Sequence, residues 1–136
     1  MNTPLDSVRK LAGLPMRKAP TVGATPADVV FSENKWRLLR YRSAARRLAT
    51  PVLLVPSLIN RHYVLDLMPG KSLAEWLVAQ GHDVFVVDWG TPGPEDRWLT
   101  FDDVCDRYLA RALRRTAKVA GETPHVLGYC LGGTLA

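Results

Sequence analysis

The sequence predicts an α/β fold, a mainly parallel sheet with helices on both faces. Three observations predict it. Val52-Leu53-Leu54-Val55 and Val84-Phe85-Val86-Val87 are apolar throughout, as strands are when helices cover both sides of a parallel sheet. Segments with helical spacing separate these runs. Each helical segment closes on a glycine, Gly81 or Gly121, a residue that readily ends a helix. The resulting order is hairpin, strand, helix, strand, helix, strand, which builds a parallel sheet through right-handed crossovers.

Each element has its own signal. Residues 1–27 hold Pro4, Pro15, Pro20 and Pro26 among Gly13 and Gly23. Proline lacks a backbone donor and fixes its own dihedral, so this stretch reads as a flexible basic arm. Weak amphipathic spacing over Leu5–Leu14 does not outweigh that reading. The domain is expected over 28–136. Val29-Val30-Phe31 and Trp36 to Tyr41 read as two strands with a turn at Ser32-Glu33-Asn34-Lys35. Ser72 to Gln80 has Leu73, Trp76, Leu77 and Gln80 at helical spacing. Asp83 to Asp88 is the next strand, and Gly90-Thr91-Pro92-Gly93-Pro94 is a loop. A helix is expected after Thr100, with Asp103 in its first turn, where acids suit the positive end of the helix dipole. Val104, Tyr108, Leu109, Ala112, Leu113, Thr116 and Val119 mark one face of it at helical spacing. His125 to Tyr129 is the last strand.

Hydrophobic residues are 47% and charged residues 23% of the 136, a globular composition that excludes disorder throughout. The net charge is +5 and the pI about 9.6. Residues 1–50 hold ten Lys/Arg against three Asp/Glu, and residues 51–136 hold eight against ten. The basic excess therefore precedes the expected fold and reads as a solvated arm before it reads as an anion-binding surface. No basic stretch is interleaved with aromatics, so no nucleic acid is expected as partner. No apolar run is long enough for a signal peptide or a transmembrane segment, so a cytoplasmic protein is expected. The two cysteines, Cys105 and Cys130, have neither disulfide-framework nor zinc spacing. No metal or other cofactor is implied.

The last strand runs into Gly128-Tyr129-Cys130-Leu131-Gly132-Gly133. This matches the nucleophile-elbow pattern G-x-S-x-G, with cysteine in the serine position, and points to an alpha/beta-hydrolase fold. The turn from strand to helix strains the nucleophile's backbone. Side chains two residues before and after would collide, which calls for Gly128 and Gly132. Gly133 allows close packing of the helix. The turn aims the Cys130 thiol outward at a helix N-terminus, a setting that favours thiolate. The Leu131 amide becomes one oxyanion donor. The second is expected from the loop after the first parallel strand, at Leu58 or Ile59, with Asn60 as a brace. Set against this, free cysteines are often small buried hydrophobes, but flanking glycines would have no purpose in a plain core helix. Cys105, with no glycine setting, reads as a packing residue.

His62 lies in the expected oxyanion loop and is a candidate substrate contact. His82 and His125 read as structural or surface residues. In this fold the base follows the nucleophile in chain order, so no histidine before Cys130 qualifies. Asp88 ends a strand on the side where such sheets bind ligands, and an anchoring role suits it equally well.

Asn60-Arg61-His62-Tyr63-Val64-Leu65-Asp66-Leu67-Met68-Pro69-Gly70-Lys71-Ser72 resembles the N-R-x-Y-x-L-D-L-x-P-G-x-S signature of polyhydroxyalkanoate synthases. Asp88-Trp89-Gly90, Asp96 to Asp103, Thr25 to Val30 and Glu33-Asn34-Lys35 resemble further blocks, and Gly128 to Gly133 is similar to the family's cysteine-bearing lipase box. The resemblance spans roughly residues 25–136. It implies a transferase that polymerises (R)-3-hydroxyacyl-CoA into polyester, holds the chain as a cysteine thioester and releases CoA. It also implies association with cytoplasmic polyester granules. The D-W-G and D-R-W-L-T wording leans toward the class III and IV type, which needs a second synthase subunit.

In the family the supporting aspartate and the base histidine follow the cysteine. The chain is therefore expected to be an amino-terminal fragment, poorly soluble and without polymerase activity by itself. The alternatives are another alpha/beta-hydrolase, such as a thioesterase or esterase, and a non-catalytic remnant.

Overall fold

The computed structural model describes residues 12–13 and 20–136. Most of the expected basic arm, and nearly all of the Leu5–Leu14 segment, lies outside the described residues. The strands are β1 (Ala27–Glu33), β2 (Trp36–Tyr41), β3 (Val52–Val55), β4 (Asp66–Met68), β5 (Lys71–Ser72), β6 (Val84–Asp88) and β7 (His125–Gly128). The α-helices are α1 (Leu73–Ala79), α2 (Ala110–Ala120) and α3 (Leu131–Leu135). A π-helical segment, Asp103–Leu109, leads into α2, and a short 3-10 turn covers His62–Leu65.

The architecture is mixed α/β. Five strands form one sheet in the order β1-β2-β6-β3-β7. β1, β2 and β6 pair antiparallel, whereas β3 pairs parallel with both β6 and β7. The hairpin is thus welded to the outer side of β6, and β3 is the middle of the parallel part.

Strand side chains alternate between faces, and this alternation sorts the core into two layers. Leu53, Val55, Phe85 and Val87 join Trp36 and Leu38 against Val104, Tyr108, Leu109 and Ala112. Val52, Leu54, Val84 and Val86 join Leu39 and Tyr41 against Leu65, Ala74 and Leu77. The two layers take opposite sides of the same apolar runs, which is why those runs carry no polar residue. Full burial of a side chain such as Leu53 is worth about 1.5–3 kcal/mol.

Two features differ from the sequence reading. The turns after Asp103 are π-helical, not α-helical. A two-stranded hairpin, β4–β5, also stands where no strand was expected. Its organiser is Asp66, which is buried and accepts hydrogen bonds from the Thr25 amide (3.1 Å), the Thr25 hydroxyl (2.6 Å) and the Ser72 hydroxyl (2.7 Å). Ser72 also accepts from the Glu75 amide at 2.9 Å and so caps α1.

Candidate active site

The C-terminal ends of β3, β6 and β7 lie side by side, and the three loops leaving them converge there. β7 is parallel to β3, with Gly128 opposite Val55. Beyond Gly128 the chain turns sharply, and Cys130 stands between strand and helix with φ 57 and ψ −128. A positive φ in a residue with a side chain is uncommon and costs on the order of 1–3 kcal/mol. Its neighbours hold it there. The Tyr129 amide donates to the Val55 carbonyl (2.9 Å), and the Gly132 and Gly133 amides donate to the carbonyls of Tyr129 and Cys130 (3.0 and 2.9 Å).

The glycines answer to close approach, not only to turning. A β-carbon at Gly128 would lie 2.6 Å from the Gly132 carbonyl oxygen. One at Gly132 would overlap the Val55 carbonyl oxygen and lie 2.8 Å from that of Pro56. Gly132 is itself buried, whereas Gly133 is exposed with ordinary room around it. Cys130 is exposed, while Cys105 is half-buried in the π-helical segment.

The loop after β3 lies against the elbow through Val55 and Pro56. Ser57 is fully buried, and its hydroxyl accepts the Ile59 amide at 3.2 Å. The indole of Trp89 donates to the Pro56 carbonyl at 2.9 Å. These two bonds fix the loop. Asn60 is exposed and makes no side-chain hydrogen bond among the described residues. Of the two loop amides that the sequence left open, that of Ile59 is therefore occupied and its side chain points into solvent, 85% exposed. The amides of Leu58 and Leu131 have no hydrogen-bond partner among the described residues.

His62 and Asp88 form a pair that the sequence did not reveal. His62 Nδ1 lies 3.3 Å from Asp88 Oδ1. Arg37 donates to Asp88 Oδ2 through Nε (3.1 Å) and Nη2 (2.5 Å), and the Gly90 amide donates to Oδ1 (3.2 Å). Burial pushes the Asp88 carboxyl up, but the hydrogen bonds from His62, Arg37 and Gly90 outweigh it and hold it well below the usual carboxylate range. Asp88 thus ties the loop after β3 and the loop after β6 to the hairpin. His82 is half-buried behind α1, and His125 is exposed at the far end of β7. Among the described residues no cluster of ligands fit for a metal ion occurs.

Residues 17–77 match the family described as the poly-beta-hydroxybutyrate polymerase (PhaC) N-terminus. The chain is 43% identical over 118 residues to a poly(3-hydroxyalkanoate) polymerase subunit PhaC from Haloferax mediterranei, covering 85% of this chain and 24% of the relative. It is 37% identical over 132 residues to the subunit of the same name from Haloarcula marismortui, covering 90% of this chain and 28% of that protein. It is 35% identical over 140 residues to that of Allochromatium vinosum, covering 97% of this chain and 39% of the relative. The chain therefore spans about a quarter to two-fifths of the length of these relatives.

Proposed function

We propose, from the premise that the chain belongs to the poly(3-hydroxyalkanoate) polymerase family, that Cys130 is the acyl-carrying nucleophile of a polymerising transferase. The observation that carries this reading is the backbone of Cys130. Its positive φ, between two glycines that tolerate no β-carbon, presents the thiol at the end of β7 beside the loop after β3. The same geometry supports an alpha/beta-hydrolase fold for the domain.

In the proposed step Sγ attacks the carbonyl carbon of an (R)-3-hydroxyacyl-CoA. The carbonyl oxygen becomes an oxyanion, and the free amides of Leu131 and Leu58 are its donors. The bond from carbon to the CoA sulfur then breaks, the acyl group remains on Cys130, and CoA leaves with the thiol proton. A hydroxyl of another acyl unit takes the acyl group in the next step, extending the ester chain. Leu131–Ala136 contain neither histidine nor carboxylate, so no residue after Cys130 in this sequence fills the roles of base and supporting acid. Full polymerisation, a second synthase subunit and a place on cytoplasmic polyester granules are proposed for a protein of the relatives' length. No described helix is long and apolar enough to cross a membrane, which is compatible with such a place.

Incubation of the chain with (R)-3-hydroxybutyryl-CoA, followed by peptide mass spectrometry, tests the reading. The expected result is one hydroxyacyl unit on Cys130, none on Cys105, and none anywhere in Cys130→Ala. Release of CoA with Cys130 unmodified would instead mean transfer to water, as in a thioesterase.

A further inference from the structure

The loop after β3, from Pro56 to His62, crosses the end of the sheet from one face to the other. Leu58 packs with the layer of Phe85 and Val87, and Leu65, in the turn that His62 opens, packs with the layer of Val84 and Val86. Two consecutive residues at the end of the neighbouring strand hold this loop at its two ends. The Trp89 indole donates to the Pro56 carbonyl at 2.9 Å, and His62 Nδ1 lies 3.3 Å from Asp88 Oδ1. We propose that Asp88 and Trp89 form a two-point clamp on this loop, and that His62 is a positioning residue that sets the Leu58 amide against the Cys130 thiol. The proposal rests on the acyl-transfer reading above and adds to it the device that holds one oxyanion donor in place.

Register brings these groups together. β6 runs parallel beside β3 with Val86 opposite Leu54, so Asp88 and Trp89 leave the sheet level with Pro56 and Ser57. Successive strand residues point to opposite faces. Trp89 packs with the layer of Phe85 and Val87, and Asp88 follows the alternation to the other face, where Leu65 lies. One grip therefore falls on each face, and the Leu58 amide stands between the two grips along the chain.

Between the grips the loop has little else to hold it. Among the described residues, no amide from Ser57 to Asn60 donates to a backbone carbonyl, and the bond within the loop is that from the Ile59 amide to the Ser57 hydroxyl (3.2 Å). Asp88 is by contrast firmly fixed. It is 4% exposed, its cross-strand partner Arg37 donates to Oδ2 through two nitrogens, and the Gly90 amide donates to Oδ1. A carboxylate only accepts, so His62 Nδ1 carries the proton of their contact, and the charge on the acceptor strengthens it. Displacing a catalytic group by about 1 Å can cost about 10²-fold in rate, so the two grips bear directly on what the Leu58 amide can do.

The test compares two reactions of Cys130 in the full chain. Acylation by (R)-3-hydroxybutyryl-CoA passes through an oxyanion, whereas alkylation by iodoacetamide displaces iodide and forms none. Both are timed by peptide mass spectrometry. His62→Ala is expected to slow acylation about tenfold, short of the roughly 10²–10³ for outright loss of an oxyanion donor, and to leave alkylation at the native rate. His62→Asn, whose amide nitrogen stands where Nδ1 does, is expected to restore acylation. Trp89→Phe keeps a ring, loses the donor and should also slow acylation alone. Native-rate acylation in His62→Ala, or acylation and alkylation falling together, would overturn the clamp. Failure of His62→Asn to restore acylation would overturn it too, and would make the other imidazole nitrogen a substrate contact. Amide hydrogen exchange reads the clamp without acyl transfer: the Ile59 amide should exchange about tenfold faster in His62→Ala than in the native chain or His62→Asn. That acceleration with native Cys130 unacylated sinks the acyl-transfer reading and keeps the clamp, and an unmoved exchange rate overturns the clamp even where Cys130 is acylated.

Discussion

Cys130 is held in its uncommon conformation by backbone bonds and by the absence of two side chains. Gly132 is the more demanding position, because a methyl group there meets the carbonyls of Val55 and Pro56, which are backbone and cannot swing aside. Gly132→Ala is therefore expected to destabilise the chain by about 1–3 kcal/mol in urea denaturation, the usual range for overpacking, and to abolish acylation of Cys130. Gly133→Ala meets nothing closer than 3.4 Å and should leave stability nearly unchanged.

Asp88 gives a second residue-scale prediction. Its folded carboxyl titrates below the unfolded value of about 3.9, so its contribution is complete above that pH and is lost as pH falls through the folded value. Thermal midpoints of the native chain should drop as pH is lowered from about 4, and Asp88→Asn should show a smaller drop over the same window. An equal drop in both proteins would mean that the Arg37 and His62 contacts contribute nothing.

At the scale of elements, Ser72 joins three of them: it caps α1, closes β5 on β4 and shares Asp66 with Thr25. Ser72→Ala removes a cap worth about 1 kcal/mol and one hydrogen bond to a buried carboxylate, so a loss of about 2–3 kcal/mol is expected by denaturant titration. The comparison variant Ser72→Thr keeps the hydroxyl and should recover most of it.

What was legible here followed from local pattern. The helix at Leu73–Ala79 was readable because Leu73, Trp76 and Leu77 repeat at its period and Gly81 stops it. The β4–β5 hairpin was not, because Asp66 looks like a surface acid until Thr25, 41 residues away, is brought to it. The π-helical turns were hidden for a related reason: Val104, Tyr108 and Ala112 fit the α period as well as the π one. The elbow could be read because its chemistry is packed into six consecutive residues. The His62–Asp88 pair could not, since it depends on a loop and a strand end, 26 positions apart in the sequence, meeting at the sheet's end.

Across the whole molecule, the hairpin and α1 cover β6 and β3, but β7 is left differently. Its outer edge pairs with nothing among the described residues, and Val126 and Leu127 are 40% and 36% exposed. An unpaired apolar edge offers its backbone amides and carbonyls to any other strand. The alternation of the sheet puts Val126 and Leu127 on opposite faces, so an added strand would find apolar surface on both. Self-association of the chain should therefore rise with concentration and proceed through β7. Val126→Lys places a charge on that edge without entering either core layer, both of which exclude Val126. Light scattering of the lysine variant is expected to stay near that of a monomer at concentrations where the native chain scatters strongly, with the thermal midpoint unchanged. Scattering that persists in the variant would move the sticky surface elsewhere, to the exposed Trp98 and Phe101.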